Sequence, residues 1–345
     1  MTEDRHSSMR VLVTGGSGFI GCNLVSLLLA RGIPLANLDI VPPLDVSQHT
    51  LWTEGDVLDV SAIERVVGSF RPTHVAHLAA RTDTGSGKGF RVEDYDVNVV
   101  GLRNTLAAVR KHPEVEKLVF VSTQFVVAPY SHVDPLSRRR YDPFMTYGES
   151  KAAAEEVLWE EDPHYCWTIV RPTTVWGPWA QRYVEGFFSA LLRGYYVHPM
   201  TGPVIRAYGY VENVVDQMLA LLHLERSAVD RRVFYVGDDP LDLREWVDAF
   251  STELTGRRAR RVPKPFVHGI ALAGEVLRRA GLHPPIQLQR FRSMTTDYLV
   301  PMGPTFDLLG DRGIPLVEGV RRTVAWARPR LERLSLTVQS SSQCQ

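Results

Sequence analysis

Tyr147 and Lys151 are the side chains whose types and spacing fit acid–base chemistry on an alcohol. They stand four apart in Tyr147-Gly148-Glu149-Ser150-Lys151, so on a helix they project from one face. A tyrosine can trade a proton with an alcohol only if its pKa falls from about 10 toward neutrality. A lysine ammonium at ~4 Å in an effective dielectric of ~20 contributes about 4 kcal/mol, nearly three pKa units, which is the required size. An aromatic residue beside a surface lysine would read the same way, so the pair gains weight only from its surroundings. Thr123 is the third candidate. It ends the apolar run Lys117-Leu118-Val119-Phe120-Val121-Ser122, and open α/β sheets bind ligands outside the carboxyl ends of their strands.

A second group of residues fits a dinucleotide. Val11-Leu12-Val13-Thr14 leads into Gly15-Gly16-Ser17-Gly18-Phe19-Ile20-Gly21, a strand, a tight turn and a helix start. Gly15 permits the sharp turn, Gly18 lets backbone N–H groups approach a pyrophosphate, and Gly21 lets the helix lie close to the strand. The helix N-terminus faces the phosphates with free amides and its positive dipole end. Asp39 follows 21 residues after Gly18, at the end of a second apolar stretch, where a carboxylate accepts the ribose hydroxyls of NAD and repels the extra phosphate of NADP. No Lys or Arg lies between Arg31 and Arg65 to neutralise that phosphate, so the expected cofactor is NAD. A strand-end cap is the other reading of Asp39. Asp56, in Gly55-Asp56-Val57, is placed either to accept from the adenine amino group or to serve as an exposed loop residue. Ala79-Ala80-Arg81-Thr82-Asp83 supplies small side chains where the cofactor backbone would pass.

These residues need elements to hold them. The pattern predicts a helix from about Met145 to Glu161 carrying Tyr147 and Lys151, and a buried strand over Lys117 to Thr123. Helices are expected over Leu24 to Ala30, Ala62 to Val67 and Asp96 to Lys111, with a strand over His74 to Leu78. Asn98, polar on a mostly buried helix, is expected to hydrogen-bond the backbone near the following strands. His77 reads as a packed core histidine. Trp179 to Pro203 reads as aromatic-rich and irregular. A helix over Val211 to Leu224, a strand over Arg232 to Val236 and a helix over Leu241 to Leu254 follow. The basic run Arg257-Arg258-Ala259-Arg260-Arg261 lacks interleaved stacking aromatics and reads as a solvated face.

The whole composition narrows the classes. Lys plus Arg equals Asp plus Glu at 39 each, so no global field draws the chain to nucleic acid or an anionic membrane. At 345 residues with 44% hydrophobic content it can bury one large core or two. No signal core and no apolar run of membrane-spanning length is present, and the expected location is cytoplasmic. Cys22, Cys166 and Cys344 are too few and too widely spaced for a metal site or a disulfide framework.

Taken together, Thr14-Gly15-x-x-Gly18-x-x-Gly21, His77-Leu78-Ala79-Ala80, Ser122-Thr123, Tyr147-x-x-x-Lys151 and Arg171-Pro172-x-x-Val175-Trp176-Gly177-Pro178 resemble the extended short-chain dehydrogenase/reductase family, in its nucleotide-sugar epimerase/dehydratase branch. The resemblance runs from about Val11 to Trp326. It implies an α/β fold, a Rossmann-type doubly wound parallel sheet with a smaller mixed α/β substrate-binding lobe. Residues 9–178 would form the NAD-binding domain, with 208–238 returning to it; 179–207 and 239–330 would form the lobe, and 1–8 and 336–345 mobile tails. It implies that Thr123 is the catalytic hydroxyl, Tyr147 the base and Lys151 the holder of the nicotinamide ribose, with Pro172 near the nicotinamide. Other cofactor contacts would come from Gly15, Ser17, Gly18, Phe19, Ile20, Asp39, Asp56, Val57, Leu78, Ala79, Ala80 and Asn98. Substrate contacts would come from Thr82, Gln124, Thr174, Arg206 and Arg292, the arginines suiting a diphosphate. For Arg206, a surface arginine near a turn is the other reading.

The resemblance also sorts the reactions. Its dehydratases carry Asp and Glu after the catalytic threonine, an acid and a base for removing water, where this chain has Gln124 and Phe125. The glutamate that decarboxylating relatives need is absent there too. Epimerisation through an enolate uses a cysteine and lysine pair, and Cys166 falls at the far end of the strand Thr168 to Val170. What remains is oxidation to a keto sugar, at C4, and hydride return to the opposite face, giving an epimer. Thr174 replaces a usual Asn and Val127-Ala128 a usual Tyr-Gly, so the sugar is open. A dehydratase with a rearranged acid–base pair, a keto-sugar reductase or dehydrogenase, and a non-catalytic NAD-binding regulator are the alternatives. The last would have no need of Tyr147 and Lys151. The helices holding Asn98 and Tyr147 are expected to pair across a two-fold axis as a homodimer.

Overall fold

Seven segments form one parallel sheet, the central ones apolar and covered from both sides, with the short and partly exposed Trp52–Glu54 at one edge. The strands are β1 (Val11–Thr14), β2 (Leu35–Asp39), β3 (Trp52–Glu54), β4 (His74–His77), β5 (Lys117–Val121), β6 (Cys166–Pro172) and β7 (Arg232–Val236). Their order is β7-β6-β5-β4-β1-β2-β3. The computed structural model describes residues 9–83, 91–279, 287–310 and 313–342. Residues 1–8 and Cys344 therefore lie outside the described residues.

Strand side chains alternate between two helix layers, as the period of two requires. Val11, Val13, Val119 and Val170 join one core with α1 (Phe19–Ala30) and α5 (Val211–His223), through Leu24, Val25, Leu28, Val214 and Met218. Leu12, Leu118, Phe120 and Ile169 join the other with α2 (Val60–Phe70), α3 (Asp96–Arg110) and α4 (Thr146–Glu161), through Ile63, Val67, Leu102, Leu106, Val157 and Leu158. Asp59 starts α2 by accepting from the Ser61 N–H at 2.9 Å, and α1 ends at Arg31 before Gly32 at φ +66°. The doubly wound parallel sheet expected from the sequence is thus present. The chain runs outward from β1 through β2 to β3, then crosses back to β4 on the other side of β1, and this reversal of direction opens a crevice at the carboxyl ends of β1 and β4.

By its contacts the chain divides into two units. The first comprises the sequence up to Val175, 211–238 and 300–313; the second comprises 176–210, 239–299 and 314–345. Residues 300–313 group with the first unit, whereas the resemblance implied that they belong to the lobe. The short helix Gly303–Leu309 explains this, because Thr305, fully buried, donates to the Tyr235 carbonyl of β7 at 2.6 Å.

The second unit has an aromatic core in which Tyr208 stacks on Trp246 at 4.8 Å and Phe187 on Trp246 at 5.0 Å. Its helices are α6 (Leu243–Thr255), α7 (Lys264–Arg279), α8 (Leu288–Ser293) and α9 (Leu316–Ser342). Two short pairings complete it: Ile205–Arg206 antiparallel with Leu241–Asp242, and Val197–Met200 parallel with Arg260–Pro263. Two expectations need correction. The stretch after Trp179 is helical from Gln181 to Leu192, with a π turn over Val184–Phe188 that turns Phe187 and Phe188 into the aromatic core. The expected tail from Leu336 begins inside α9, which continues to Ser342.

Candidate active site

The glycines after β1 are required for different reasons. Gly15 sits at φ +74°, and a Cβ there would lie 2.5 Å from the Ala79 backbone nitrogen. A Cβ on Gly21 would lie 2.2 Å from the Gly15 carbonyl oxygen, so this glycine sets how closely α1 approaches the turn. Gly18 is different. Its φ of −75° suits any residue, and a Cβ would meet only the Gly15 oxygen at 3.5 Å. The protein leaves that space open at the N-terminus of α1, flanked by Phe19 and Ile20.

Asp39 closes β2, and its Oδ2 accepts from the Ser17 N–H at 3.0 Å while Oδ1 accepts from the Val41 N–H at 3.2 Å. Burial pushes its carboxyl pKa up, against the pull of those amides. Sequence reasoning missed the support beneath this contact: buried Asn37 donates to the Ser17 hydroxyl at 3.1 Å and lies where a Cβ on Gly16 would fall. Asp56 is exposed and accepts from the Leu58 N–H at 2.9 Å, a local turn bond, with Val57 buried against Gly101. Leu78 donates its N–H to the Thr14 carbonyl at 2.9 Å and carries Ala79 and Ala80 past the Gly15 turn; Thr82, further on, is exposed. His77 is a core histidine, as expected. Its Nδ1 pairs with the Thr14 hydroxyl at 2.9 Å, and burial lowers its pKa to about 3, with Lys151 adding to the shift. Among the described residues no group of His, Cys, Asp and Glu could hold a metal ion.

Tyr147 and Lys151 lie on α4, and both are buried. The Tyr147 ring packs between Tyr95 and Phe125, each 6.4 Å away between centroids. The N-terminus of α4 presses on the turn that follows β5, since a Cβ on Gly148 would lie 2.3 Å from the Phe125 carbonyl oxygen. Lys151 is 1% exposed, with its Nζ 4.4 Å from the Phe120 ring centre. Burial lowers its pKa to about 7, opposed by Glu155. Thr123, also buried, begins the turn Gln124–Val126, its hydroxyl accepting from the Phe125 N–H at 3.3 Å. Gln124 is buried and donates to the Thr174 hydroxyl at 2.8 Å. Pro172 ends β6.

Two polar clusters hold this helix in place, the first around Asn98 and the second, which sequence reasoning missed, around Glu155. Asn98 accepts from the Arg81 N–H at 2.8 Å and donates to the Ser150 hydroxyl at 2.8 Å, and Ser150 donates to the Tyr147 carbonyl at 2.8 Å. Asn98 thus bonds backbone, in the loop after β4. One turn beyond Lys151, Glu155 is fully buried against Arg171, with Nε at 2.9 Å from Oε1 and Nη2 at 2.6 Å from Oε2, and accepts from Ser122 at 2.5 Å. The signal was available: Tyr147, Lys151 and Glu155 recur every four residues on one helical face.

Arg206 and Arg292 belong to the second unit. Arg206 donates to the Thr296 carbonyl at 3.2 Å and lies 5.5 Å over the Tyr298 ring; Arg292 is exposed on α8. Cys166 begins β6, at the end away from Pro172, and burial raises its thiol pKa to about 11.

Residues 11–237 match the model of the NAD dependent epimerase/dehydratase family. The chain belongs to this family. NAD is its cofactor, and the open space at Gly18 and the Asp39 carboxylate at the end of β2 fit that group. Among relatives, the chain is 31% identical over 214 residues to an N-acetyl-alpha-D-glucosaminyl-diphospho-ditrans,octacis-undecaprenol 4-epimerase of Escherichia coli O157:H7, covering 60% of this chain and 61% of that one. It is 30% identical over 282 residues to a 4-hydroxy-2-methyl-3-oxo-4-farnesyl-3,4-dihydroquinoline-1-oxide ketoreductase of Stigmatella aurantiaca, covering 79% of this chain and 81% of that one. Thus it spans about three fifths of the first relative's length. Among solved structures it is similar to the UDP-glucose 4-epimerase of Thermus thermophilus in complex with NAD, with 27% identity, a TM-score of 0.64, and coverage of 93% of this chain and 99% of that one. The chain is a family enzyme by these likenesses. No helix among the described residues is long and apolar enough to cross a membrane.

Proposed function

We propose that this family member is an epimerase acting at C4 of a sugar carried on a nucleoside diphosphate. One observation carries the choice among the family's reactions: the two side chains after Thr123 cannot act as acid and base. Gln124 is committed to Thr174, and Phe125 packs against Tyr147. Dehydration needs a second proton-transfer pair at the neighbouring carbon, and this strip offers none.

NAD supplies the hydride acceptor and donor when bound. The protein's own residues do the rest. Tyr147 takes the proton of the sugar hydroxyl at its phenolic oxygen and gives it back. Thr123 shares the hydrogen bond to that hydroxyl, and Lys151, in its dry site, holds the nicotinamide ribose and favours the tyrosinate when charged. Asp39 takes the adenosine ribose hydroxyls, with Asp56 and Val57 along the adenine. Arg206 and Arg292 are assigned to the diphosphate, Thr82, Gln124 and Thr174 to the sugar. The 4-epimerases among its likenesses support the reading. The Stigmatella relative, a ketoreductase, favours net reduction as the second reading.

The test is NMR of UDP-, GDP-, CDP- and dTDP-sugars incubated with the protein and a catalytic amount of NAD. A new 4-epimer at constant total cofactor is expected. A keto-deoxy product, or turnover only with stoichiometric NADH, would replace the reading with dehydration or reduction. Tyr147→Phe should lower kcat by roughly 100-fold or more while NAD still binds, and unchanged turnover would remove the tyrosine from the mechanism. The homodimer is part of the proposal, through α3 and α4, where Val100 is exposed. Sedimentation of a monomer at micromolar concentration would contradict it.

A further inference from the structure

We propose that α7 and the basic segment before it form a docking surface for an anionic lipid bilayer. The inference does not depend on which reaction the site catalyses.

The helix is amphipathic the wrong way round for a helix bathed in water. Val267 and Ala271 are its buried apolar anchors, packed with Phe291, Val197, Val262 and Leu288. Its ionised pair, Glu275 with Arg278 at 2.5 Å, lies toward that same side, because 271, 275 and 278 follow 267 at helical spacing. The opposite face carries Phe266, Ile270, Leu272, Val276 and Leu277, all exposed, with Phe266 at 68% and Val276 at 67%. Pro265, Gly269 and Ala273 fill the gaps, so among the residues whose side chains are described no Asp, Glu, Lys or Arg interrupts this arc, and exposed His268 at its margin stacks on Phe291. Surface helices place polar residues there, and an apolar patch of this breadth marks an interaction site.

Charge chooses the occupant. Arg257, Arg258, Arg260, Arg261 and Lys264 immediately precede or open the helix, all are exposed, and none forms an ion pair among the described residues. A second copy packed helix to helix would set this segment against its own duplicate or against Arg278, like charge on like. An anionic lipid surface complements it. A sixteen-residue helix ~24 Å long, lying in the plane of the interface, sinks its apolar face by ~5–10 Å, which leaves flanking cations at the phosphates. Long basic side chains reach headgroups from that depth. The chain's balanced total charge conceals this local asymmetry.

The experiment is flotation of the full chain with vesicles of phosphatidylcholine alone or mixed with phosphatidylglycerol. Binding to the anionic vesicles only, weakened by salt, is expected. Phe266→Glu with Val276→Glu should lower that binding at least about tenfold while circular dichroism and NAD affinity stay unchanged. Arg257→Ala with Arg258→Ala, which leaves the helix untouched, should weaken it by about tenfold as well. A wild-type chain that ignores anionic vesicles at low salt overturns the proposal, as does flotation of both variants undiminished from the wild type's. Loss of self-association in Phe266→Glu with Val276→Glu, without wild-type vesicle binding, would assign the face to a second copy and also overturn it.

Discussion

Lys151 pays for its position in stability. Its ammonium loses its proton near pH 7 in the folded chain and near 10.5 when unfolded, so between those limits the unfolded chain binds more protons and folding strengthens as pH rises. The penalty is complete below pH 7 and vanishes near 10.5. Lys151→Met should therefore be inactive yet more stable, by on the order of a few kcal/mol at neutral pH, with the gain largest in acid. Melting curves from pH 6 to pH 10 check this; a gain that grows with pH would contradict it. Glu155 is coupled to the same spot. Glu155→Gln leaves Arg171 buried without its carboxylate and removes the negative charge that supports the Lys151 ammonium. Denaturant unfolding should show a loss of about 3–5 kcal/mol, and a loss under 1 kcal/mol would mean that the pair relaxes into water.

At the scale of elements, the turn after β1 separates folding from binding. Gly18→Ala should fold normally, because its backbone angles and surroundings accept a methyl group, yet bind NAD more weakly by roughly tenfold or more. Gly21→Ala should fail earlier, in the packing of α1, and show lowered Tm without any ligand. Titration calorimetry and melting distinguish them; equal Tm losses would refute the division of labour. The other parallel strands and the Tyr147–Lys151 helix were legible because apolar runs and spacing by four are local signals, whereas β3, three residues long and partly exposed, was not. Glu155 was missed although it continues the four-residue spacing of Tyr147 and Lys151, since on a helix that carries five glutamates one more acid reads as solvent-facing until Ser122 and Arg171 arrive from strands far away in sequence. The π turn in 184–188 escaped for the same reason: Trp246 and Phe250, some sixty residues on, pack against Phe187 and Phe188 and draw them inward. Gln124 and Thr174 were singled out separately, and the fold joins them by a hydrogen bond between neighbouring strand ends.

At the scale of the molecule, residues 300–313 group by contacts with the first unit, and a side-chain bond runs from Thr305 to β7. Thr305→Val should lower Tm by a few degrees through the unsatisfied Tyr235 carbonyl, and exchange of the β7 amides should quicken; unchanged exchange would assign the segment's attachment to packing alone. The alternation of the chain between its units also governs its birth. A ribosome delivers β1 to β6 early, yet β7 follows an excursion through the second unit, and the strap that fastens β7 follows another. The sheet therefore keeps an unpaired edge at β6 until β7 emerges, and its last tie waits for residue 305. Chaperone demand for this protein should accordingly fall late in translation, and premature stop products ending before residue 230 should be the aggregating ones.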